Sequence, residues 1–216
     1  MIPELPFEPA MELAGIFVGA LSGGLAAVRK KFDVFGVLVL AWAAGLGGGL
    51  MRDVLIGAIP PVAIADWLFI ATALAGGVAM YFFHPRLERA RRMIAVLDAG
   101  SLALFAVVGT IKGLQYDSGV VAAIFVGTIT GVGGGVLRDL LSAEVPAVLH
   151  HRELYAIPAL VGAAATALLW EGGLLTSGTS AVVVAVVFGL RLIAMRFHLN
   201  APGPWQERPR SRSRSG

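Results

Sequence analysis

The chain has 216 residues, 57% of them hydrophobic and only 14% charged, with a mean hydropathy of +0.80. A soluble domain carries about 25% charged residues, so composition excludes that class and points to an integral membrane protein, whose backbone must satisfy its own hydrogen bonds as helices. With no cysteine, disulfides and thiolate metal sites are excluded, and the formal charge of +3 is informative through its distribution.

Residues 1–10 carry Glu4 and Glu8 and no basic residue, so they read as a short extracytoplasmic segment rather than a cleaved signal peptide. A hydrocarbon core takes about 20 helical residues to cross. Seven segments qualify, at 11–28, 35–57, 64–83, 93–113, 119–142, 154–171 and 179–198, each bounded by charge, proline or turn residues. Arg29, Lys30 and Lys31 follow the first, Arg86, Arg89, Arg91 and Arg92 the third, and Arg152 the fifth, while Lys112 near a helix end is nearly alone on the other face. The positive-inside rule then predicts an outside amino terminus and a cytoplasmic carboxyl terminus, in the inner (plasma) membrane if the host is bacterial. His150 and His151, with Arg152 and Glu153, read as a solvated interfacial loop and not as a metal site. Residues 199–216 are rich in Arg, Ser and Pro and are predicted to be a disordered cytoplasmic tail, with no nucleic-acid role assigned.

"GLGGGLMRDVL" from Gly45 and "GVGGGVLRDLL" from Gly131 lie 86 residues apart. The same shift superposes Glu12 on Asp98, Gly23 on Gly109, Pro60 on Pro146 and Gly76 on Gly162. The chain therefore divides into a first repeat over 11–92, a second over 93–178, and a seventh helix over 179–198. Three spans per repeat bring the second copy in from the opposite face, as in many transport proteins. The expected fold is all-α, with seven transmembrane helices in two inverted three-helix repeats plus one.

Gly47, Gly48, Gly49 and their counterparts Gly133, Gly134, Gly135 fall midway along the second and fifth segments. Each costs roughly 1 kcal/mol relative to alanine in a helix, so a bend or local unwinding is expected there. Two such breaks at matched depth are the pattern of a substrate or ion path. Close helix packing is the alternative, since Gly45 with Gly49 and Gly131 with Gly135 have the spacing of small-residue contacts. Arg52, Asp53, Arg138 and Asp139 follow the glycines inside the membrane and need partners or water. They either pair structurally, with Arg52 on Asp139 and Arg138 on Asp53, or line and gate a hydrophilic path. Glu12 and Asp98 begin the first helix of each repeat, where helix dipoles favour carboxylates, and are candidate cation-attracting vestibule acids. Thr110, Thr128 and Thr130 are expected to bond back to their own helices. The glycine runs match neither a dinucleotide fingerprint nor a phosphate loop, and no catalytic or zinc constellation is visible, so neither an enzyme nor a cofactor is expected.

The doubled Gly-Gly-Gly-x-x-Arg-Asp, in the second helix of each of two three-span repeats followed by a seventh helix, resembles the prokaryotic trimeric intracellular cation (TRIC) channel family, over about residues 10–198. Bacterial relatives of this pattern are also described as glycine transporters. The resemblance implies a homotrimer with one hourglass pore per protomer, conducting monovalent cations, potassium first and sodium as a further candidate, in contact with membrane lipid. It makes Gly47 to Gly49 and Gly133 to Gly135 the pore kinks, with Arg52, Asp53, Arg138 and Asp139 as the adjacent polar group. The Lys-Glu-Val motif of animal members is replaced here by "GVLRDLL". The alternative function is an alternating-access carrier of glycine or a similar small zwitterion.

Overall fold

The computed structural model describes residues 5–84, 87–149, 154–197 and 199. Glu4, Arg86, His150, His151, Arg152, Glu153 and the tail from 200 onward lie outside the described residues. Among those described, the elements are α1 (Glu8–Arg29), α2 (Val34–Leu55), α3 (Val62–Ala65), α4 (Trp67–Phe83), α5 (Leu87–Gln115), α6 (Val120–Leu141), a 3-10 turn (Ala147–Leu149), α7 (Ala156–Glu171) and α8 (Ser177–Phe197). The chain is an all-helical membrane protein. Five helices are long and apolar enough to cross a membrane, namely α1, α2, Ala90–Gln115 of α5, α6 and α8.

The third helix of each repeat is shorter than expected. The segment 64–83 splits at Asp66, whose side chain accepts from Leu68 N at 2.8 Å, so that the single turn α3 precedes the 17-residue α4. In the second repeat the 3-10 turn precedes the 16-residue α7 in the same way.

Pairs of contacts that exchange under the 86-residue shift reveal a pseudo-two-fold axis. Gly48 faces the Thr130 carbonyl, and its counterpart Gly134 faces the carbonyl of Ala44, the counterpart of Thr130. Gly47 meets Leu137 just as Gly133 meets Met51. Between α1 and α5, Gly15 packs on the Phe105 ring and Gly19 on Ser101, again an exchanged pair. These contacts run antiparallel, and an axis that exchanges two antiparallel helices is perpendicular to both. If the helices span the bilayer, that axis lies in the membrane plane, as expected of an inverted repeat.

Of the bend or local unwinding expected at the glycine clusters, the unwinding does not occur. Both α2 and α6 run as unbroken 22-residue helices through their glycines. The physical reason is packing: the helices cross backbone against backbone, and a Cβ on Gly48 or Gly134 would strike a carbonyl oxygen of the other helix. Close approach of this kind is what small residues allow in membrane helices.

Candidate functional site

The end of the second helix in each repeat builds the same charged cluster. Arg52 Nε donates to Asp53 Oδ1 at 2.8 Å, and its Nη2 reaches Glu12 Oε1 at 2.7 Å. Arg138 Nε donates to Asp139 Oδ1 at 2.9 Å, and its Nη1 to Asp98 Oδ1 at 2.7 Å. The second oxygen of each aspartate caps the helical turn that follows, Asp53 Oδ2 accepting from Val62 N and Asp139 Oδ2 from Ala147 N, both at 2.9 Å. Each aspartate thus ties its neighbouring arginine to the entrance of the third helix.

The pairing corrects one expectation. Arg52 and Arg138 take their close carboxylate partners within their own repeats rather than exchanging aspartates across the axis, because an aspartate next in sequence at a helix end folds onto its neighbour's guanidinium. Glu12 and Asp98, singled out as vestibule acids, are the third members of the two clusters, both buried. Asp98 also does not begin its helix, since α5 starts at Leu87, so it is held by Arg138 and not by a helix terminus. The back-bonds of Thr110, Thr128 and Thr130, at 2.7, 2.8 and 2.6 Å, are as expected.

At formal charges, each cluster sets two carboxylates around one guanidinium, and further cations beside them, Lys112 at one end and Arg29, Arg91 and Arg191 at the other, offset the excess of carboxylate. Around this common frame the ends differ. Lys112 Nζ stands 3.7 Å from Glu12 Oε2 and 4.0 Å from Asp53 Oδ1, while Gln115 Nε2 donates to Glu8 at 2.8 Å. The void beside Arg52 is about 10 Å³, walled by Ile16, Leu46, Ala63, Phe69 and Phe105. Beside Arg138, a cavity of about 480 Å³ is lined by Arg29, Arg91, Asp98, Asp139, Glu144 and Arg191, among others. Ser22 Oγ accepts from Arg138 Nη1 at 2.8 Å, and Arg191 lies 4.7 Å over the Tyr155 ring.

Ser22, Tyr155, Glu144 and Arg191 were missed as site residues. Ser22 and Glu144 align with Val108 and Ala58, so the repeat does not reveal them. Arg191 had a signal, since a charge about four turns into an apolar helix calls for a partner. The two clusters are joined by α1, with Glu12 and Ser22 separated by about 15 Å at 1.5 Å per residue.

A family model described as "Glycine transporter" matches residues 10–85 and 95–171, one stretch in each repeat. A UPF0126 membrane protein of Streptomyces coelicolor is 44% identical over 201 residues, covering 93% of this chain and 92% of its own length. The UPF0126 inner membrane protein YadS of Escherichia coli is 32% identical, covering 89% of this chain and 93% of its own. The crystal structure of a TRIC trimeric intracellular cation channel orthologue from Rhodobacter sphaeroides superposes with a TM-score of 0.83 at 34% identity, over 89% of this chain and 98% of that one. The match of the family model to both repeats, with relatives 32% and 44% identical over most of the chain, places this protein in the glycine transporter family, and prokaryotic TRIC channels are its structural relatives.

Proposed function

We propose that the chain is a monovalent cation channel, permeable to potassium, in which each protomer of a homotrimer carries its own pore. The observation that carries this reading is the pair of buried clusters related by the pseudo-two-fold, each with more carboxylate than guanidinium. Carboxylate oxygens at either end of a helix crossing, together with fixed dipoles, can replace part of a cation's hydration. In this reading α4 and α7 also cross the bilayer, giving seven spans, with the amino terminus outside and the carboxyl terminus in the cytoplasm.

The path runs past the crossing of α2 and α6. Gly47 and Gly48 pack on α6 and Gly133 and Gly134 on α2, and in this reading that contact is the closed centre of the path. Glycines 47 to 49 and 133 to 135 then act as a hinge surface, over which the two helices slide or bend to admit water, and Arg52, Asp53, Arg138 and Asp139 set the barrier at each end. The likeness to TRIC channels supports both the trimer and cation passage. The test is planar-bilayer recording of the purified protein under potassium and sodium gradients. Unitary currents that reverse at a cation potential and vanish in Gly48→Leu are expected.

A second reading, an alternating-access carrier of glycine, is favoured by the family model that covers both repeats. Saturable glycine uptake into proteoliposomes without unitary currents would establish it and sink the channel. Potassium flux that does not saturate and ignores glycine would exclude it as the sole activity.

A further inference from the structure

Glu144 occupies a position at which the two halves diverge. Its counterpart under the 86-residue shift is Ala58, which is buried and apolar. Glu144 instead projects from the turn after α6 onto the rim of the 480 Å³ cavity. Its Oε1 accepts from Arg29 Nη2 at 3.2 Å and lies 2.9 Å from Lys30 Nζ, and both cations belong to the turn that ends α1. From α5, Arg91 faces the same carboxylate.

We propose that Glu144 is a releasable strap: its ion pairs with Arg29 and Lys30 tie the turn after α6 to the turn after α1 and restrict access to Asp98, Arg138 and Asp139. Both anchors are turns at helix ends rather than core, so the strap can part without unpacking a helix. The three side chains are 20%, 32% and 38% exposed, so water competes for every contact. Exposed pairs are individually weak, and two of them sharing one carboxylate make a contact that holds at rest and still opens. Among the described residues, the Arg52 end is covered by apolar packing in place of such a device.

The chain contains no cysteine, so a single cysteine placed at Ala95, in the cavity lining, is its only thiol. The experiment measures how fast a neutral, water-soluble methanethiosulfonate modifies that thiol in the purified full-length protein. Glu144→Gln should raise the rate by roughly fivefold. Raising the ionic strength should speed the parent protein toward the variant and leave the variant unchanged, because salt screens exposed pairs. Glu144→Lys combined with Lys30→Glu should restore slow modification, which general loosening of the fold would not do. Equal rates in parent and Glu144→Gln, or a charge swap that stays fast, would overturn the strap. The readout needs no transport, so failure here is distinct from failure of the channel reading.

Discussion

The Arg52 and Arg138 ends are made of the same parts and differ in how far water can approach them. In both, an arginine at the end of a repeat's second helix holds its neighbouring aspartate and an acid from the first helix. One end is shut by Ile16, Ala63, Phe69 and Phe105 around a void of about 10 Å³, with Lys112 beside its acids. The other opens into about 480 Å³ rimmed by Arg29, Arg91, Arg191 and Glu144. Duplication therefore fixed where the charges sit, and residues outside the duplicated motif decide whether water reaches them. Energetically this difference is large, since an unpaired charge costs far more in a sealed pocket than beside water.

The strongest way to break the comparison is to remove the equivalent aspartates. Asp53→Ala strips Arg52, itself 1% exposed, of one of its two close carboxylates and leaves Val62 N without its acceptor. A loss of about 3–5 kcal/mol is expected, as for breaking a buried pair. Asp139→Ala makes the same chemical change next to a cavity that can supply water, and about 1–3 kcal/mol is expected. Thermal unfolding of the two variants in the same detergent checks this. Equal losses would mean that the difference in access has no energetic weight.

The glycines supply a finer pair of tests. Gly48→Ala and Gly134→Ala push a methyl onto equivalent carbonyls, of Thr130 and Ala44, so equal losses of about 1–3 kcal/mol are expected. Unequal losses would deny the pseudo-two-fold at the crossing. One residue further on, symmetry fails. A Cβ on Gly49 has only Arg52 Nη2 within reach, at 3.8 Å, whereas one on Gly135 runs into the Tyr155 hydroxyl and Asp98. Gly49→Ala should be neutral or stabilising by up to about 1 kcal/mol through helix propensity, and Gly135→Ala destabilising, as read from the same unfolding curves.

These particulars show which physics was legible in the chain. The doubled motif revealed the repeat, the equivalence of Glu12 with Asp98 and the need for partners at Arg52 and Arg138. It could not reveal that the partners are local, because that depends on how an aspartate at a helix end folds back. Glycine propensity argued for unwinding, and the backbone contacts of Gly48 and Gly134 overrode it. Ser22 and Glu144 were illegible because neither is repeated and each looks like an ordinary helix or loop residue until the fold brings it to its partner.

A smaller effect separates the ends by pH. The Lys30 hydrogen bond, opposed by partial burial and reinforced by Arg29, Lys30 and Arg91, holds the Glu144 carboxyl below the usual glutamate range. A depressed carboxyl stabilises the fold above its unfolded pKa, and the contribution is lost as pH falls through the folded value. Parent and Glu144→Gln should thus differ by less than about 1 kcal/mol at neutral pH, given the exposure of the pair, and converge on acidification below the glutamate range. A gap that widens in acid would contradict the assignment.

The smallest expected effect lies in the turn that carries the strap. Gly57 and Ala143 are equivalent positions with φ of +73° and +54°, and each turn is closed by a bond back to the aspartate carbonyl, Ala58 N to Asp53 O at 2.8 Å and Glu144 N to Asp139 O at 2.9 Å. A left-handed conformation costs a residue with a Cβ about 1–2 kcal/mol, which glycine avoids. Glycine in turn forfeits about 0.5–1 kcal/mol through the freedom of the unfolded chain. Ala143→Gly should therefore stabilise by about 0.5 kcal/mol and Gly57→Ala destabilise by a similar amount, opposite signs from opposite substitutions at one structural position. Should Ala143→Gly also quicken modification at Ala95→Cys while Glu144 is intact, the strained alanine is holding the strap in register, and its conformational cost serves to aim Glu144 at Arg29 and Lys30.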